Sequence, residues 1–368
     1  MRSDYKRMLS LLVPTRLSSL LRVGVYVVCL AVVLMSSLLW LDNNNYILQL
    51  PYSRRNPTLP VMGNKYSAVV PSTIRSLQKS QPSIVKRRQI IRPSAIKNEV
   101  IGTSHVSSNC TPLVPRILHL TWYGSKTRPA FRFHHVISVM SSLRFIQPKR
   151  IMFWYDNAPT GKWWTFIRQK IKKTTTTLMM MQRDAPKTIF GRPINKDEHH
   201  SDIVRLEAVM KYGGIYHDLD VVILRPLGKL YCYQTTMGEE RPNWLCNGFF
   251  MSVANVTFLR LWYDSYHTFN ASRWNFHSVR MPGIIAKQHP GLVHVEKDTI
   301  HKPTWQGRER RKLYATGVFY DWKARNYAVH LWYRFHKFDY DPESIKRLNK
   351  TVGQIFRYIF YGNSDMLV

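Results

Sequence analysis

Two acidic residues separated by a single leucine, Asp218 and Asp220, lie inside an otherwise apolar stretch of the sequence. In an extended segment, side chains two positions apart point the same way, so we expect both carboxylates to face one ligand. Carboxylates flanked by apolar residues need a partner or a cation, and hard oxygen ligands suit Mg²⁺ or Mn²⁺. The pair therefore predicts a divalent-metal site. The alternative is a solvated turn, because aspartate is common in turns.

A helix is expected to position this pair. Ser201 is a favourable N-cap, and the two glycines at Gly213 and Gly214 favour a helix end. Asp202 and Arg205 share one face of that helix. They form either an ion pair worth about 0.3 kcal/mol or a contact to the hydroxyl and phosphate groups of a ligand. Beside the acidic pair, we favour ligand binding.

Two later segments hold further candidates. His330 interrupts an apolar run and would give the metal a third protein ligand, although a lone histidine is more often a core residue. Asn247 and Gly248 precede an aromatic strand, where a small polar pair permits close approach of a substrate. An ordinary turn explains this second pair equally well.

The segment from residue 113 onward alternates between strand-like and helix-like patterns, which predicts an α/β fold with βαβ crossovers and a largely parallel sheet. In such sheets, ligands gather at the carboxyl ends of strands, where Trp122 and Asp156 also fall. The predicted strands are 116–122, 150–155 and 174–181, and the predicted helices are 137–145 and 163–172.

The N-terminal part predicts a membrane anchor. Residues 23–41 carry no charge and are long enough to span a bilayer as a helix. Basic residues dominate positions 1–22, which we expect to form a cytoplasmic tail. A cleaved signal peptide is less favoured because the apolar run is too long and lacks a cleavage pattern. Residues 42–112 predict a flexible basic stem, and residues 113–368 a lumenal domain.

The formal net charge of +32 would alone suggest nucleic acid as a partner. The stem contributes many of the cations without interleaved aromatic residues, and an anchored lumenal protein does not meet nucleic acid. We therefore expect the protein to associate with a membrane and not with nucleic acid. Four glycosylation sequons lie beyond the anchor, at Asn109, Asn255, Asn270 and Asn349.

The lumenal part holds three cysteines, Cys110, Cys232 and Cys246. An odd number leaves either one thiol free or an intermolecular bridge. The sequence does not fix the pairing. We favour Cys232 with Cys246, which would close a short loop.

Several of these motifs occur together and in order, at Val114–Trp122, Ser201–Arg205, Tyr212–Asp220 and Arg225–Leu227. Together they resemble the DXD-containing glycosyltransferase sugar-binding region. The likeness is to the group of α-1,4-galactosyltransferases and initiating α-1,6-mannosyltransferases. It implies a GT-A-like, Rossmann-type nucleotide-sugar transferase domain that performs a metal-dependent, anomer-retaining transfer.

The resemblance also implies roles at the nucleotide-sugar donor. Trp122 matches a residue that stacks on the nucleotide base, and Asp202 and Arg205 match residues that hold the donor sugar. We further predict Tyr216 and Asn247 as donor-binding residues.

For the metal, the resemblance implies Mn²⁺ (or Mg²⁺). Asp220 matches a direct metal ligand, Asp218 an acid near the ribose and the metal, and His330 resembles a histidine on the metal side. We predict the two aspartates as the catalytic residues.

The resulting expectation is a Golgi type II membrane glycosyltransferase. It would transfer a hexose, galactose or an N-acetylhexosamine, from a UDP-sugar to a glycan of a glycolipid or glycoprotein. One alternative is an α-mannosyltransferase that uses GDP-mannose, since the core motif is shared. Another is a catalytically inactive, lectin-like protein of the same fold, which the intact acidic residues disfavour.

Overall fold

The structure is a computed structural model that describes residues 110–124 and 130–367. The predicted tail at 1–22, the predicted anchor at 23–41, the stem up to residue 109 and the Asn109 sequon lie outside the described residues. Within the described part of the chain, no helix combines the length and the apolar character needed to cross a bilayer.

Strands and helices alternate through the first half of the described chain. The strands are β1 Ile117–Trp122, β2 Arg150–Tyr155, β3 Thr177–Gln182, β4 Thr188–Ile189, β5 Arg192–Pro193, β6 Gly214–His217, β7 Val221–Ile223, β8 Thr235–Arg241, β9 Trp244–Ser252, β10 His294–Glu296 and β11 Ala328–His330. The α-helices are α1 Phe133–Phe145, α2 Lys162–Lys172, α3 Asp197–Tyr212, α4 Thr257–Asp264, α5 Met281–Gln288, α6 Gly307–Tyr314, α7 Trp322–Arg325, α8 Pro342–Lys346 and α9 Thr351–Phe360.

The described strands form a seven-stranded central sheet in the order β10-β8-β9-β6-β1-β2-β3. Strands β6, β1, β2 and β3 pair in parallel, and β9 runs antiparallel to both of its neighbours, β6 and β8. The prediction of an α/β fold with a largely parallel sheet is confirmed.

The sheet is buried on both faces. Neighbouring residues of β6, Ile215 and Tyr216, enter two different apolar clusters. One cluster joins the sheet to α1, α2 and α9, and the other joins it to α3, α4 and α5. A strand covered on both sides reads as a continuous apolar run, which explains why β2 occupies its predicted residues 150–155.

Helix α3 differs from its prediction at its start. Ser201 is not the N-cap, because the helix already begins at Asp197, with Asp197 and Glu198 in its first turn. Acidic residues there favour the helix N-terminus. The predicted end is confirmed: Gly213 has a φ of 64°, and its N–H bonds to the Val209 carbonyl.

Two backbone pairings bring distant segments to the end of β6. Beyond the last β6–β9 pair, the N–H of Asp218 donates to the carbonyl of Gly248 at 2.8 Å. Strand β7 pairs antiparallel with β11, which sets Val221 opposite His330. The carboxyl end of β6 therefore adjoins both Gly248 and His330.

The favoured disulfide pairing is wrong. Cys232 is bonded to Cys110, with their Cα atoms 6.0 Å apart, and Cys246 is a buried free thiol. The start of the described chain runs beside Cys232, because the N–H groups of Leu113 and Val114 both donate to the Tyr231 carbonyl. Cys246 instead lies within β9.

Candidate active site

The two acidic residues lie in a turn between β6 and β7. The N–H of Val221 donates to the Asp218 carbonyl at 2.9 Å, so the predicted extended geometry is wrong. The turn nevertheless gathers the expected groups. Ligand atoms of Asp218, Asp220 and His330 all lie within 4.8 Å of one another.

The pairing of β7 with β11 holds His330 against Asp220. His330 Nε2 lies 3.1 Å from Asp220 Oδ1. The N–H of Tyr333 donates to the other carboxylate oxygen, Oδ2, at 3.0 Å, and the N–H of Leu331 donates to the Asp220 carbonyl at 2.8 Å. Both side-chain oxygens of Asp220 are therefore contacted by the end of β11 and the segment that follows it.

The electrostatics of this pair favour charge. Burial opposes ionisation of Asp220, but His330 and the Tyr333 N–H outweigh it and lower the pKa of the carboxyl well below its usual value. Burial likewise opposes protonation of His330, and the Asp220 carboxylate outweighs it and raises the pKa of the ring. An ionised carboxylate held in a buried site suits a cation.

The residues present fit a hard divalent metal ion. Two carboxylates and one imidazole are donors that Mn²⁺ and Mg²⁺ accept. Gly248 leaves space beside them: a Cβ at that position would lie 2.9 Å from Asp218 Oδ2 and 2.9 Å from His330 Cε1. A side chain there would crowd the groups that converge.

Arg205 links the acidic turn to helix α3. Its Nη1 lies 3.0 Å from Asp218 Oδ1 and donates to the Asn247 carbonyl at 3.1 Å. The guanidinium also lies over the ring of Tyr216, 4.5 Å from its centre. The ion pair with Asp202, the alternative to ligand binding in the sequence analysis, is present but longer, at 3.6 Å. Arg205 therefore contacts Asp218 more closely than it contacts Asp202 on its own helix.

Asp202 is held by an amide. Asn247 Nδ2 donates to Asp202 Oδ1 at 2.7 Å, and the aspartate side chain is buried. Burial raises the pKa of Asp202, although Arg205 and the Asn247 amide favour its ionised form. The structure thus brings together the predicted donor residues Asp202, Arg205 and Asn247.

Tyr216 completes this network. Its hydroxyl donates to Asp218 Oδ1 at 2.6 Å and bonds to Thr121 Oγ1 at 2.9 Å. Thr121 bonds in turn to Ser201 Oγ, which accepts from Arg205 Nη2 at 2.9 Å. Sequence reasoning missed Thr121 and gave Ser201 a capping role. The hydroxyl of Ser201 instead supports the guanidinium from inside the helix.

The side chain of Trp122 packs among aromatic neighbours. Its ring is 3% exposed and packs against Phe131 and His135, with ring centres 5.5 Å and 5.3 Å away. Stacking on a nucleotide base would require one of these neighbours to move. The base-binding role of Trp122 stays a prediction.

The sequon asparagines within the described chain, Asn255, Asn270 and Asn349, are all exposed. Their positions fit modification, which stays a prediction.

Other groups near the metal candidates were not predicted. The Tyr333 N–H reaches Asp220, and the ring of His134 stacks on Tyr333 with centres 4.2 Å apart. Ligand atoms of Cys246 and His301 lie within 4.8 Å of a ligand atom of His330. No motif marks these residues, because only the folding of distant segments assembles them.

Comparisons with known proteins identify the family. Residues 135–241 match the family described as the glycosyltransferase sugar-binding region containing a DXD motif. Glucan organizing enzyme 1 of Cryptococcus neoformans var. grubii is 32% identical over 274 residues, which cover 69% of this chain and 72% of that protein.

Two solved glycosyltransferases are more distant. GlyE of Streptococcus pneumoniae is 10% identical with a TM-score of 0.40, and the match covers 68% of this chain and 63% of GlyE. The galactosyltransferase LgtC is 8% identical with a TM-score of 0.34, and the match covers 67% of this chain and 96% of LgtC. On the matched family region and the curated relative, the chain belongs to the glycosyltransferases whose sugar-binding region contains a DXD motif.

Proposed function

We propose that this glycosyltransferase has a GT-A fold and transfers a hexose from a UDP-sugar to a glycan, with retention of the anomeric configuration and with a divalent metal ion. The observation that carries the proposal is the meeting of Asp218, Asp220 and His330 within 4.8 Å, at the carboxyl end of β6. Ligands gather at such strand ends in α/β sheets.

Each group has a role that its contacts support. Asp218, Asp220 and His330 would hold Mn²⁺ (or Mg²⁺), which when bound supplies positive charge for a leaving diphosphate. Arg205 and Tyr216 both contact Asp218 Oδ1 and fix the direction of that carboxylate. A carboxylate whose direction is fixed by neighbouring groups is suited to a preorganised site.

Asp202 and Asn247 supply polar groups for the donor sugar. The carboxylate accepts hydrogen bonds from hydroxyl groups, and its present bond to Asn247 Nδ2 sets its orientation. A site built to bind sugar hydroxyls discriminates against sugars that lack them, because its buried polar groups would then be unpaired. We therefore assign hexose recognition to this pair.

The proposed compartment is the Golgi lumen, with the chain as a type II membrane protein. The uncharged stretch at 23–41 and its basic flank support this orientation. The disulfide between Cys110 and Cys232 is of the kind that persists in oxidising compartments. The exposed sequon asparagines are accessible to glycosylation.

The proposed acceptor is a glycan on a lipid or a protein. The name of the curated relative refers to glucan, which places glucan oligosaccharides among the acceptors to test. GDP-mannose remains the alternative donor, and an inactive lectin-like protein the alternative function.

A donor panel tests the proposal. The purified full chain is incubated with UDP-galactose, UDP-glucose, UDP-N-acetylhexosamines or GDP-mannose, with Mn²⁺ or with excess chelator, and release of the nucleoside diphosphate is measured. We expect turnover of one UDP-sugar that stops in chelator. The anomeric configuration of the product, read by NMR, tests retention.

Two variants provide the comparison. Asp220→Asn should lose this turnover, and Asp264→Asn, which changes an exposed aspartate, should keep it. Exclusive use of GDP-mannose would favour the mannosyltransferase. Sugar binding with no turnover of any donor would favour the lectin-like protein.

A further inference from the structure

A second group of potential metal ligands shares His330 with the group that contains Asp218 and Asp220. It consists of Cys246, His301 and His330, whose ligand atoms lie within 4.8 Å of one another. All three side chains are buried, with exposed fractions of 5%, 0% and 6%. We call these three residues the thiol–imidazole cluster.

Three separate parts of the fold form this cluster. Cys246 lies in β9 and His330 ends β11. His301 follows β10 and packs against β8, where a Cβ at Gly238 would lie 2.6 Å from His301 Cδ2. The other two cysteines of the described chain form the disulfide, so within that part of the protein Cys246 is the available thiol.

The cluster holds buried nitrogens that lack partners among the described residues. Neither ring nitrogen of His301 makes a hydrogen bond, and His330 Nδ1 makes none either. The carbonyls of Cys246 and Phe249 face the His301 ring but lie outside hydrogen-bonding geometry. A buried polar group left unpaired destabilises the folded protein. A bound ion would accept the lone pair of one nitrogen from each ring.

We propose that the thiol–imidazole cluster is a Zn²⁺ site, separate from the hard-metal site of the two aspartates. One thiolate and two neutral imidazoles are ligands that Zn²⁺ prefers, with a fourth position for water. Tetrahedral bonds of about 2.0–2.3 Å place ligand atoms about 3.5 Å apart. Side-chain movements of about one ångström would close the cluster around the ion.

The thiol is protonated when no ion is bound, because burial raises its pKa. As the sulfur–zinc bond forms, the thiol proton leaves to solvent, and the Nδ1 proton of a charged His330 ring leaves as well when that nitrogen binds the ion. Glu240, which is 5% exposed, acts electrostatically on both Cys246 and His330. Its negative charge opposes a lone thiolate and favours a bound cation.

His330 connects the two ligand sets. Its Nε2 lies 3.1 Å from Asp220 Oδ1, while its Nδ1 has no partner among the described residues. Metal-bound histidines commonly donate their other ring N–H to a carboxylate, and this arrangement fits that pattern. When Nδ1 binds Zn²⁺, Nε2 keeps its proton and donates to Asp220. The ring then no longer serves the aspartate pair as a ligand.

Zinc at the cluster should therefore inhibit the enzyme. This consequence rests on the proposed function, in which His330 helps to hold Mn²⁺. Zinc binding itself does not rest on it.

Cobalt spectroscopy of the full chain tests the binding site. Co²⁺ replaces Zn²⁺ and gives a thiolate-to-cobalt charge-transfer absorption. We expect one such site per chain, displaced by Zn²⁺ but not by Mn²⁺. Cys246→Ser should lose the absorption, and His301→Gln should weaken Co²⁺ binding at least tenfold. Cys29→Ser and Asp218→Asn should keep both the absorption and the affinity.

Thermal unfolding of each variant shows whether it is folded. If Cys246→Ser does not fold, His301→Gln, which retains the thiol, still tests the metal site. Absence of the absorption in the parent chain, or its survival in Cys246→Ser, would overturn the zinc site.

A second measurement tests inhibition. Zn²⁺ is titrated against Mn²⁺-supported donor turnover, and the half-inhibitory zinc concentration should rise at least tenfold in Cys246→Ser. Equal inhibition of the parent and of Cys246→Ser would overturn the antagonism between the sites. If no donor is turned over, the proposed function fails, while the cobalt spectrum still decides the metal site.

Discussion

Two buried histidines near strand β6, His119 of β1 and His330 of β11, have pKa values shifted in opposite directions. His119 Nε2 donates to the Gly213 carbonyl at 2.8 Å, and its Nδ1 accepts from Trp154 Nε1 at 3.2 Å. Burial lowers the pKa of His119 to about 4, although the Gly213 carbonyl favours the charged ring. The pKa of His330 is instead raised, because Asp220 outweighs burial.

The difference indicates that His119 contributes to the stability of the core, whereas the groups around His330 are arranged for function. Both ring nitrogens of His119 are bonded within the protein, and the neutral ring is part of the core. At the carboxyl end of β6, two carboxylates and an imidazole converge, with ligand atoms within 4.8 Å of one another. Charge is concentrated at the carboxyl end of β6, where α/β sheets bind ligands.

The largest effect is expected when the charge of Asp220 is removed at the carboxyl end of β6. Asp220→Asn should reduce donor turnover more than 10²-fold, several kcal/mol in the activation barrier, because a ligand to the metal is lost. Steady-state kinetics with saturating Mn²⁺ measures it. The control Asp264→Asn should be unchanged. Near-normal turnover by Asp220→Asn would show that this end of β6 does not hold a catalytic metal.

The next prediction concerns His119 and pH. The unfolded chain protonates His119 near pH 6.5 and the folded chain only near pH 4. Its contribution to stability is therefore complete above pH 6.5 and is lost as the pH falls from 6.5 to 4. The free energy of unfolding should fall by up to about 3 kcal/mol through this residue.

Denaturant unfolding of the parent and of His119→Gln at pH 7 and pH 5 measures that contribution. The loss of stability between the two pH values should be smaller in His119→Gln. His289→Gln changes an exposed histidine and should lose as much stability as the parent. Identical losses in parent and His119→Gln would remove the contrast between the two histidines.

A smaller effect is expected in the network around Arg205. Asp202→Asn keeps the side-chain shape but removes a charge beside Arg205 and the Asn247 amide. Donor turnover should fall about 10–100-fold, about 1.4–2.8 kcal/mol, while the affinity for free UDP changes little. Calorimetry with UDP, alongside kinetics with the UDP-sugar, separates the two.

On the same helix, Glu207 pairs with Arg183 instead. Glu207→Gln is therefore the matched control and should keep donor turnover. If Asp202→Asn weakens UDP and UDP-sugar equally, hexose recognition lies elsewhere.

The smallest effect is expected at Gly248, which leaves space beside the proposed metal ligands. Gly248→Ala places a methyl group 2.9 Å from Asp218 Oδ2 and His330 Cε1, which can yield by small side-chain movements. The Mn²⁺ concentration for half-maximal turnover should rise about tenfold, about 1.4 kcal/mol. Gly307→Ala meets nothing within 4 Å and should have no effect. An unchanged Mn²⁺ requirement would mean that the ion does not need this space.

Sequence reasoning succeeded where a local pattern decides the structure. An apolar run buried on both faces predicted β2, and Gly213, with its positive φ, marked the end of α3. The start of α3 was wrong because Ser201 has the chemistry of a cap. Its hydroxyl is used by Thr121 and Arg205, which only the packed structure shows.

The candidate site was predicted only in part, because a local pattern marks some of its residues and not others. Asp218 and Asp220 stand out because acids interrupt an apolar run. The meeting of Asp220 with His330 depends on the pairing of β7 with β11, 110 positions away by number (330 − 220). Cys246 and His301 carry no motif, and the path that brings Cys110 to Cys232 is not encoded by local spacing.

The bridge between Cys110 and Cys232 also has a mechanical consequence. It joins the first described residue to the short 3-10 helix at Gly228–Cys232, across a sequence separation of 122 residues. A pull applied upstream of Cys110 is passed through a covalent bond to that helix, and the hydrogen bonds of β1 carry little of the load. Reduction of the bridge would redirect the same force onto the start of β1, and pulling on the N-terminal side would then strain the hydrogen bonds that join β1 to β2 and β6.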